Sequence, residues 1–432
     1  MNIADSLRQF AFNKFRIDLI SGSIRTVLAS IVLCGLSYEL SIAGDWPQIL
    51  GPDRNGIAHD ETLAEKWPAG GPKKVWSEKV GSGIAGVAVA GDVAVLFHRE
   101  NDEDKLTAFN GIRGEPMWTT GFPTAYRSEM LDDNGPRAVP TIHGDAIYAY
   151  SATGKLYCVD LKSGDKRWER KTHQDFGADG GYFGAGSSPV VEGKFVIVNV
   201  GGGKKKAGIV AFHLDSGETA WTSVSDQASY SSPTVVTVDG TRHLLCVTRL
   251  NFVSLDPLTG QERFRTRFGK SGPTVSAAIP VIFDKHVLLT ASYGIGAQLL
   301  EMSADKADVV WSDDILSSQY TTPIFHDGVM FGIDGRQDGG AVALKCVDPK
   351  TRHEFWSKSG VGYSTLIAAD GKLLMMQTDG VLKMIRLSKD RYEELATAKL
   401  LSGTTRALPA LSRGRFYIKN EKNVLCVNLA KE

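Results

Sequence analysis

The sequence has little cysteine, no net charge and almost no long apolar stretch. Five of its 432 residues are cysteine, and no two of the five are adjacent. Lysine plus arginine and aspartate plus glutamate both number 49, so the formal net charge is zero. A chain without a basic excess lacks the field that gathers nucleic acid or an anionic membrane surface. We therefore expect neither nucleic acid nor direct membrane contact beyond the N-terminal leader.

The motifs of common catalytic and metal sites are also missing. There is no G-x-S-x-G and no H-E-x-x-H, and the nine histidines lack the spacing of zinc ligands. A formal G-x-G-x-x-G begins at Gly81, but a β-like run follows where a dinucleotide site needs a helix. The acceptor-rich Asp132-Asp133-Asn134-Gly135 is interpreted as a solvated turn, with weak Ca²⁺ binding or an ion pair to Arg137 as the alternatives. The sequence thus predicts no catalytic residue and no metal ligand.

Residues 1–43 differ from the rest of the chain. A basic stretch precedes an apolar run from Val27 to Leu36, which is too short to span a bilayer comfortably. Ser41-Ile42-Ala43 then offers small residues in the order of a cleavage site. We predict a secretory signal cut after Ala43, with an uncleaved anchor as the alternative. A lipid on Cys34 is disfavoured, because Leu33 stands where a small residue is expected.

A repeated phrase organises the remainder of the chain. A strand-like run of alternating apolar residues is followed by a polar turn with glycine and then by tryptophan. One copy has the strand at Leu156 to Asp160, the turn at Ser163-Gly164 and the tryptophan at Trp168. A period of roughly 40–50 residues is typical of propeller blades with four strands each. Each anchor is interpreted as a core side chain that fills the wedge between neighbouring blades. The anchors are Trp76, Trp118, Trp168, Trp221, Phe264, Trp311, Trp356 and, more weakly, Leu395.

A second phrase supplies the inner half of each blade. A strand with proline or an apolar residue meets a turn about four residues later, as at Pro140 with Gly144-Asp145, and a second strand follows. Such a unit is a hairpin, so each period holds two hairpins and four strands. The last strand, Val424 to Leu429, has no anchor after it, and Trp76 has no strand before it. Pairing the two closes the ring and removes an exposed sheet edge.

The predicted fold is therefore all-β: an eight-bladed propeller with four antiparallel strands per blade, closed between the C-terminal strand and the first tryptophan strand. The domains are the signal peptide 1–43, an extended segment 44–74 packed on the propeller, and the propeller itself, 75–432. Cys158, Cys246, Cys346 and Cys426 fall on different blades, so we expect buried free thiols. We expect a monomer.

Equivalent positions in the blades give the candidate site. The residue three before the inner-strand proline should lie at one height around the central channel in every blade. Two arginines and three tyrosines there form a candidate binding ring. The alternative is a structural role, in which these side chains only fill the channel. The eight positions are Ile84, Arg137, Gly186, Tyr230, Ala277, Tyr320, Tyr363 and Arg406.

These residues resemble a known family. Tyr157 to Trp168 looks like the tryptophan-docking repeat of PQQ-like propellers, and Asp45-Trp46-Pro47 with Gly51 to Gly56 resembles the start of exported bacterial members. The resemblance covers roughly residues 44 to 432. It includes BamB-like scaffolds of outer-membrane β-barrel assembly and the quinoprotein dehydrogenases, which bind PQQ and Ca²⁺ at the axis. The adjacent cysteine pair of those dehydrogenases is missing here.

The resemblance favours a non-catalytic scaffold that binds a protein or peptide partner in the periplasm or cell envelope. No cofactor is then expected. Two alternatives use the candidate ring: a quinoprotein oxidoreductase with PQQ and Ca²⁺ near Arg137, Tyr230, Tyr320, Tyr363 and Arg406, and a small-ligand or carbohydrate binder.

Overall fold

The alternating segments form thirty-two strands in eight antiparallel sheets of four in the computed structural model, which describes residues 44–431. In seven blades the four strands follow one another along the chain. In blades 1 and 2 they are β2 (Val87–Ala90), β3 (Val93–Glu100), β4 (Glu103–Asn110) and β5 (Pro116–Pro123), then β6 (Thr141–His143), β7 (Ala146–Tyr150), β8 (Lys155–Asp160) and β9 (Lys166–Lys171).

Blades 3 to 5 repeat the arrangement. Their strands are β10 (Val190–Glu192), β11 (Phe195–Gly202), β12 (Ala207–His213) and β13 (Thr219–Ser223); β14 (Thr234–Val238), β15 (Thr241–Val247), β16 (Asn251–Leu255) and β17 (Glu262–Arg267); and β18 (Val281–Phe283), β19 (His286–Ala291), β20 (Gly296–Met302) and β21 (Ala307–Asp313).

Blades 6 to 8 complete the circle. Their strands are β22 (Ile324–His326), β23 (Val329–Arg336), β24 (Gly339–Val347) and β25 (Glu354–Ser359); β26 (Ser364–Ala369), β27 (Lys372–Gln377), β28 (Val381–Arg386) and β29 (Glu394–Lys399); and β30 (Ala410–Ser412), β31 (Arg415–Lys419) and β32 (Asn423–Asn428) with β1 (Lys73–Lys79) as the fourth. A helix α1 (Thr172–Phe176) and a 3₁₀ turn (Gly203–Lys205) interrupt the strands. No helix within residues 44–431 is long and apolar enough to cross a membrane.

The two ends of the propeller sequence pair as predicted. Strand β1 lies antiparallel beside β32, with Trp76 opposite Cys426 and Ser77 opposite Leu425. The inner strand of blade 1 also contacts the inner strand of blade 8. The prediction of eight closed blades is confirmed, and the last blade is built from both ends of the propeller.

The anchor tryptophans join each blade to the next. Trp168 of blade 2 donates its indole N–H to the carbonyl of Leu214 in blade 3 at 2.8 Å. Its ring covers Gly217, where an added Cβ would lie 2.7 Å from the indole and where φ is +69°. The turn glycine is therefore required both for its backbone conformation and for the close approach of the neighbouring ring. Equivalent bonds, at 2.9–3.0 Å, start from Trp76, Trp118, Trp311 and Trp356.

The four cysteines outside the leader lie in the core. Each is buried and unpaired, as the sequence predicted, and each is on a different blade. Burial raises the pKa of the Cys158 thiol to about 11 and that of Cys346 to about 12. These thiols are therefore uncharged near neutral pH and act as small apolar core residues. The predicted signal peptide and Cys34 lie outside the described residues.

Trp221 provides an internal comparison for the anchor hydrogen bond. Its ring covers Gly260 in the same way, but its buried indole N–H has no partner among the described residues. We expect Trp168→Phe to lower the free energy of unfolding by about 1 kcal/mol more than Trp221→Phe, because only the first removes a hydrogen bond. Chemical denaturation of both variants measures the difference. Equal losses would contradict this role of the indole N–H.

Burial of His98 makes the stability of blade 1 depend on pH. Its Nδ1 accepts the Gly81 N–H at 3.0 Å and lies 3.9 Å from Glu100 Oε1. Its Nε2 lies 3.0 Å from Thr107 Oγ1. Burial lowers the pKa of His98 to about 4, against an ordinary value of 6.5. The unfolded chain therefore binds a proton before the folded chain does, and stability is lost as the pH falls from 6.5 towards 4.

We expect His98→Asn to flatten part of this pH dependence, since an asparagine carbonyl can still accept the Gly81 N–H but does not titrate. The free energy of unfolding is measured from pH 7 to pH 4 for both proteins. The wild-type curve should fall more steeply than that of the variant. Parallel curves would show that His98 is already protonated in the folded protein near pH 6.

Candidate functional site

The segment before β1 closes one end of the central channel. Carboxylates in this segment accept hydrogen bonds from the turns between the first two strands of a blade. Asp45 accepts from the Gly91 N–H at 3.1 Å, and Glu61 accepts from the Arg413 N–H at 2.7 Å. The same segment forms backbone bridges to three blades: Trp46 with Val89, Ile57 with Ala368, and Leu63 with Ala430.

Arg54 ties the same segment to blade 3. Its guanidinium donates to the Pro189 carbonyl at 3.0 Å and to Gln48 Oε1 at 2.8 Å. Burial lowers the pKa of Arg54 to about 9. Because this segment reaches blades 1, 3, 7 and 8 from one face, it lies across the channel, and Ile49 from it lines the space above.

Above the N-terminal segment, which forms its floor, lies an axial cavity of about 1010 Å³. Its wall comes from the loops that lead into the inner strands and from the turns between second and third strands. Seven of the eight equivalent positions chosen from the sequence line it: Ile84, Arg137, Gly186, Tyr230, Ala277, Tyr320 and Arg406. Four of the five candidate ring residues therefore meet around one space.

The fifth, Tyr363, lies behind the wall. It is 4% exposed, and its ring centroid is 4.4 Å from that of Tyr320. Its hydroxyl accepts the backbone N–H groups of Tyr320 at 2.8 Å and Thr321 at 3.2 Å. In blade 7 the inner strand β26 starts at Ser364, directly after Tyr363, so the Tyr363 side chain packs on Tyr320 of blade 6. The structure gives Tyr363 a supporting position behind the cavity, where the sequence had placed it in the ring.

Arg137 is buried at the cavity wall without a carboxylate partner among the described residues. Its guanidinium donates to the backbone carbonyls of Gly135 and Asp133 and lies 5.2 Å from the Tyr126 ring centroid. Its Nε has no hydrogen-bond partner within residues 44–431. Burial lowers the pKa of Arg137; nearby Tyr126 and Asp133 oppose this shift, and the positive charge of Arg406 adds to it. Two like charges therefore face one space.

Arg406 has fewer contacts than Arg137. Its guanidinium lies 5.6 Å from the centroid of the Tyr320 ring. Its Nε is buried, and in the described part of the chain it has no hydrogen-bond partner. The hydroxyl of Tyr320 donates to Gln337 Oε1 at 2.9 Å. An arginine held mainly over an aromatic ring keeps most of its donors available to a ligand.

Sequence reasoning missed the part of the wall that comes from the turns between second and third strands. Tyr293 in blade 5 and Arg336 with Asp338 in blade 6 reach the cavity this way. The blade 6 hairpin is long, because β23 has 8 residues and β24 has 9. That length, with Gly339-Gly340 at its tip, is the signal in the sequence that could have identified it.

The cavity carries more positive than negative charge. Arg137, Lys270, Arg336 and Arg406 line it, and Asp338 is the acidic lining residue. Arg336 already neutralises Asp338 through a 2.7 Å ion pair and covers the Tyr293 ring at 4.3 Å. Three cationic side chains remain without an opposing carboxylate in the wall.

The acceptor-rich turn before Arg137 has a structural use. Asp133 accepts the Gly83 N–H at 2.9 Å and the Gly135 N–H at 2.8 Å. Asn134 Oδ1 accepts the Ser128 N–H at 2.7 Å. These oxygens hold the loop that carries Arg137, as expected of a turn. Within residues 44–431 no group of three or more histidine, cysteine, aspartate or glutamate side chains is placed to hold a metal ion.

Together, the ring of eight blades and its one-ended axial cavity define a propeller of PQQ-like repeats. A family model described as the outer membrane protein assembly factor BamB matches residues 60–204 and 132–358, which together exceed half of the chain. The chain belongs to this BamB family of PQQ-like repeat propellers. An 88-residue stretch is also 36% identical to outer membrane protein assembly factor BamB of Burkholderia pseudomallei strain K96243. That stretch spans 20% of this chain and 22% of the relative.

Solved structures share the fold at low sequence identity. BamB from Moraxella catarrhalis superposes with a TM-score of 0.61 at 15% identity, over 83% of this chain and 98% of that one. Quinohemoprotein alcohol dehydrogenase from Comamonas testosteroni gives 0.62 at 14%, over 90% and 81%. A europium-containing methanol dehydrogenase gives 0.65 at 11%, over 87% and 89%. At these identities the superpositions establish the fold and leave activity open.

The axial cavity does not fit the PQQ and Ca²⁺ of a quinoprotein dehydrogenase. Ca²⁺ takes six to eight oxygen ligands, with carboxylates prominent among them. The one carboxylate that lines the cavity, Asp338, is held by Arg336 at two atoms. The other charged lining groups, Arg137, Lys270 and Arg406, would repel a cation. The donor set therefore suits an anion and not a metal.

Removal of the Tyr363 hydroxyl tests its supporting role. In Tyr363→Phe the backbone N–H groups of Tyr320 and Thr321 lose their acceptor, so we expect a loss of about 1–3 kcal/mol in the free energy of unfolding. Tyr392→Phe is the control, because that hydroxyl donates to Glu394 at the surface, at 2.9 Å. Thermal and chemical denaturation compare the two. Equal, small losses would contradict the supporting role.

Proposed function

We propose that the protein is an exported, non-catalytic scaffold that binds a protein or peptide partner in the periplasm or cell envelope. Membership of the BamB family is the observation that carries this proposal. The matching family model and the relative from Burkholderia pseudomallei are both described as outer membrane protein assembly factor BamB. Export depends on the predicted leader, residues 1–43, and a monomer remains the expected form.

We further propose that the partner docks on the face where the axial cavity opens. Apolar side chains stand exposed at this face: Met130 is 52% exposed and Tyr182 is 45% exposed. Leu131 and Phe183, beside them in sequence, line the cavity itself. Methionine and aromatic residues are enriched in protein interfaces, and here the Phe183 ring packs on Tyr230, with ring centroids 5.6 Å apart. On the opposite face, the segment before β1 covers the end of the channel.

A second candidate function is the binding of a small ligand in the axial cavity. The cavity is closed at one end and has a volume at the upper limit of sites for drug-sized molecules. Tyrosine rings and arginine forks suit organic ligands, including carbohydrate acids. A quinoprotein oxidoreductase is the less favoured alternative, because the donor set in the cavity repels Ca²⁺.

Photo-crosslinking distinguishes the two faces of the propeller. A photoreactive amino acid placed at Met130 or Tyr182 in the full chain should give discrete crosslinked adducts in the intact cell envelope. The matched controls are Ile112 and Leu258, which are 40% and 59% exposed on turns between third and fourth strands, at the other face. Adducts from the controls alone, or from neither face, would contradict the proposed docking face.

A further inference from the structure

The charges in the wall of the axial cavity are not balanced. The two other buried arginines of residues 44–431 differ from each other: Arg99 is 4% exposed and binds Asp104 at 2.7 Å, whereas Arg54 is 5% exposed and donates to uncharged groups. Arg137 is 8% exposed, and its guanidinium contacts backbone carbonyls and an aromatic ring without an ion pair, although the charge of Asp133 acts on it from nearby. Burying a charge without an ion-pair partner is costly, and the guanidinium groups of buried Arg137 and half-buried Arg406 border the same cavity.

Arg54 shows what a purely structural buried arginine looks like in this molecule. Its guanidinium donates to Gln48, Ser188 and Pro189, and these bonds tie the N-terminal segment to blade 3. Arg406 differs, because its contact is the face of Tyr320 and it borders an open space. Most of its N–H donors therefore remain available to a ligand that enters the cavity.

We propose that the axial cavity binds an oxyanion, a carboxylate or a phosphate, between Arg137 and Arg406, with a flat apolar body held against Tyr230 and Tyr320. Arginine forks match the planar oxygens of a carboxylate, and phenol rings offer flat apolar faces. The floor formed by the N-terminal segment stops a chain from passing through. The ligand therefore enters end first, as a small acid or as the terminus of a peptide. This inference rests on the proposed function for the choice of face and names the chemical group recognised there.

Matched probes test the charge requirement. Phenylacetate and phenyl phosphate carry the anion on an aromatic ring, and phenylacetamide has the same body without charge. We expect isothermal titration calorimetry of the full chain to show binding of at least one anion, and at least ten-fold weaker binding of the amide. Equal affinity for acid and amide, or no binding of either anion, would overturn the proposal.

Substitution of Arg406 tests the location. Arg406→Met should weaken binding of the anions at least ten-fold and leave the weak binding of the amide unchanged. Arg391→Met is the control, because that side chain is 78% exposed, lies away from the cavity and should leave every affinity as in the wild type. Unchanged anion affinity in Arg406→Met would overturn the proposal.

The melting temperature separates a ligand site from a structural plug. If Arg406 serves a ligand, its removal relieves repulsion from Arg137, so the variant without added ligand should melt at the wild-type temperature or above. If the two arginines only fill the axis, the variant should melt lower. A decrease of more than about 4 °C would count as the structural result and overturn the proposal.

Peptides identify the source of the anion. A tetrapeptide ending in phenylalanine is titrated with a free and with an amidated C-terminus. Binding of the free form alone assigns the site to a chain terminus, and binding of phenylacetate or phenyl phosphate without either peptide assigns it to a small molecule. These titrations use purified protein. Their failure is therefore distinguishable from a failure of the crosslinking experiment, which tests the docking face in the envelope.

Discussion

Closure of the ring by the pairing of β1 with β32 is the constraint on which the other features depend. The pair joins Trp76 to Cys426 and completes blade 8 from both ends of the propeller. Without it, β32 would present an unpaired edge and Trp76 would have no blade to belong to. The closed circle also fixes the axis. Loops that enter seven of the eight blades then line one cavity, which is how residues as distant as Arg137 and Arg406 come to share it.

Contacts made by the anchor tryptophans hold neighbouring blades together. Within residues 44–431, an indole covers a turn glycine of the next blade at four boundaries, and at five boundaries an indole donates a hydrogen bond to a carbonyl of the neighbouring turn. Because tryptophan contacts recur around most of the ring, a chain with balanced charge and free cysteines can hold a large ring through packing and backbone pairing. Trp221 keeps the packing without the hydrogen bond, and Phe264 stands at the next anchor position.

The sequence predicted the blade number, the strand count, the closure and the burial of the four cysteines, because these follow from a period that recurs many times. It also placed Arg137, Tyr230, Tyr320 and Arg406 at one level, since equivalent positions follow from the same period. It could not place Tyr363, whose loop is shorter than those of the other blades. Nor did it predict Lys270, Arg336 and Asp338, because their distance from the axis depends on the length of individual loops and hairpins.

The axial cavity is the proposed functional centre of the protein, and electron density along the axis tests this most directly. A crystal structure of protein purified from its native source should show density that contacts the guanidinium groups of both Arg137 and Arg406 and is larger than a water molecule. Ordered water alone in the cavity, with the two guanidinium groups bonded only to surrounding carbonyls, would contradict it.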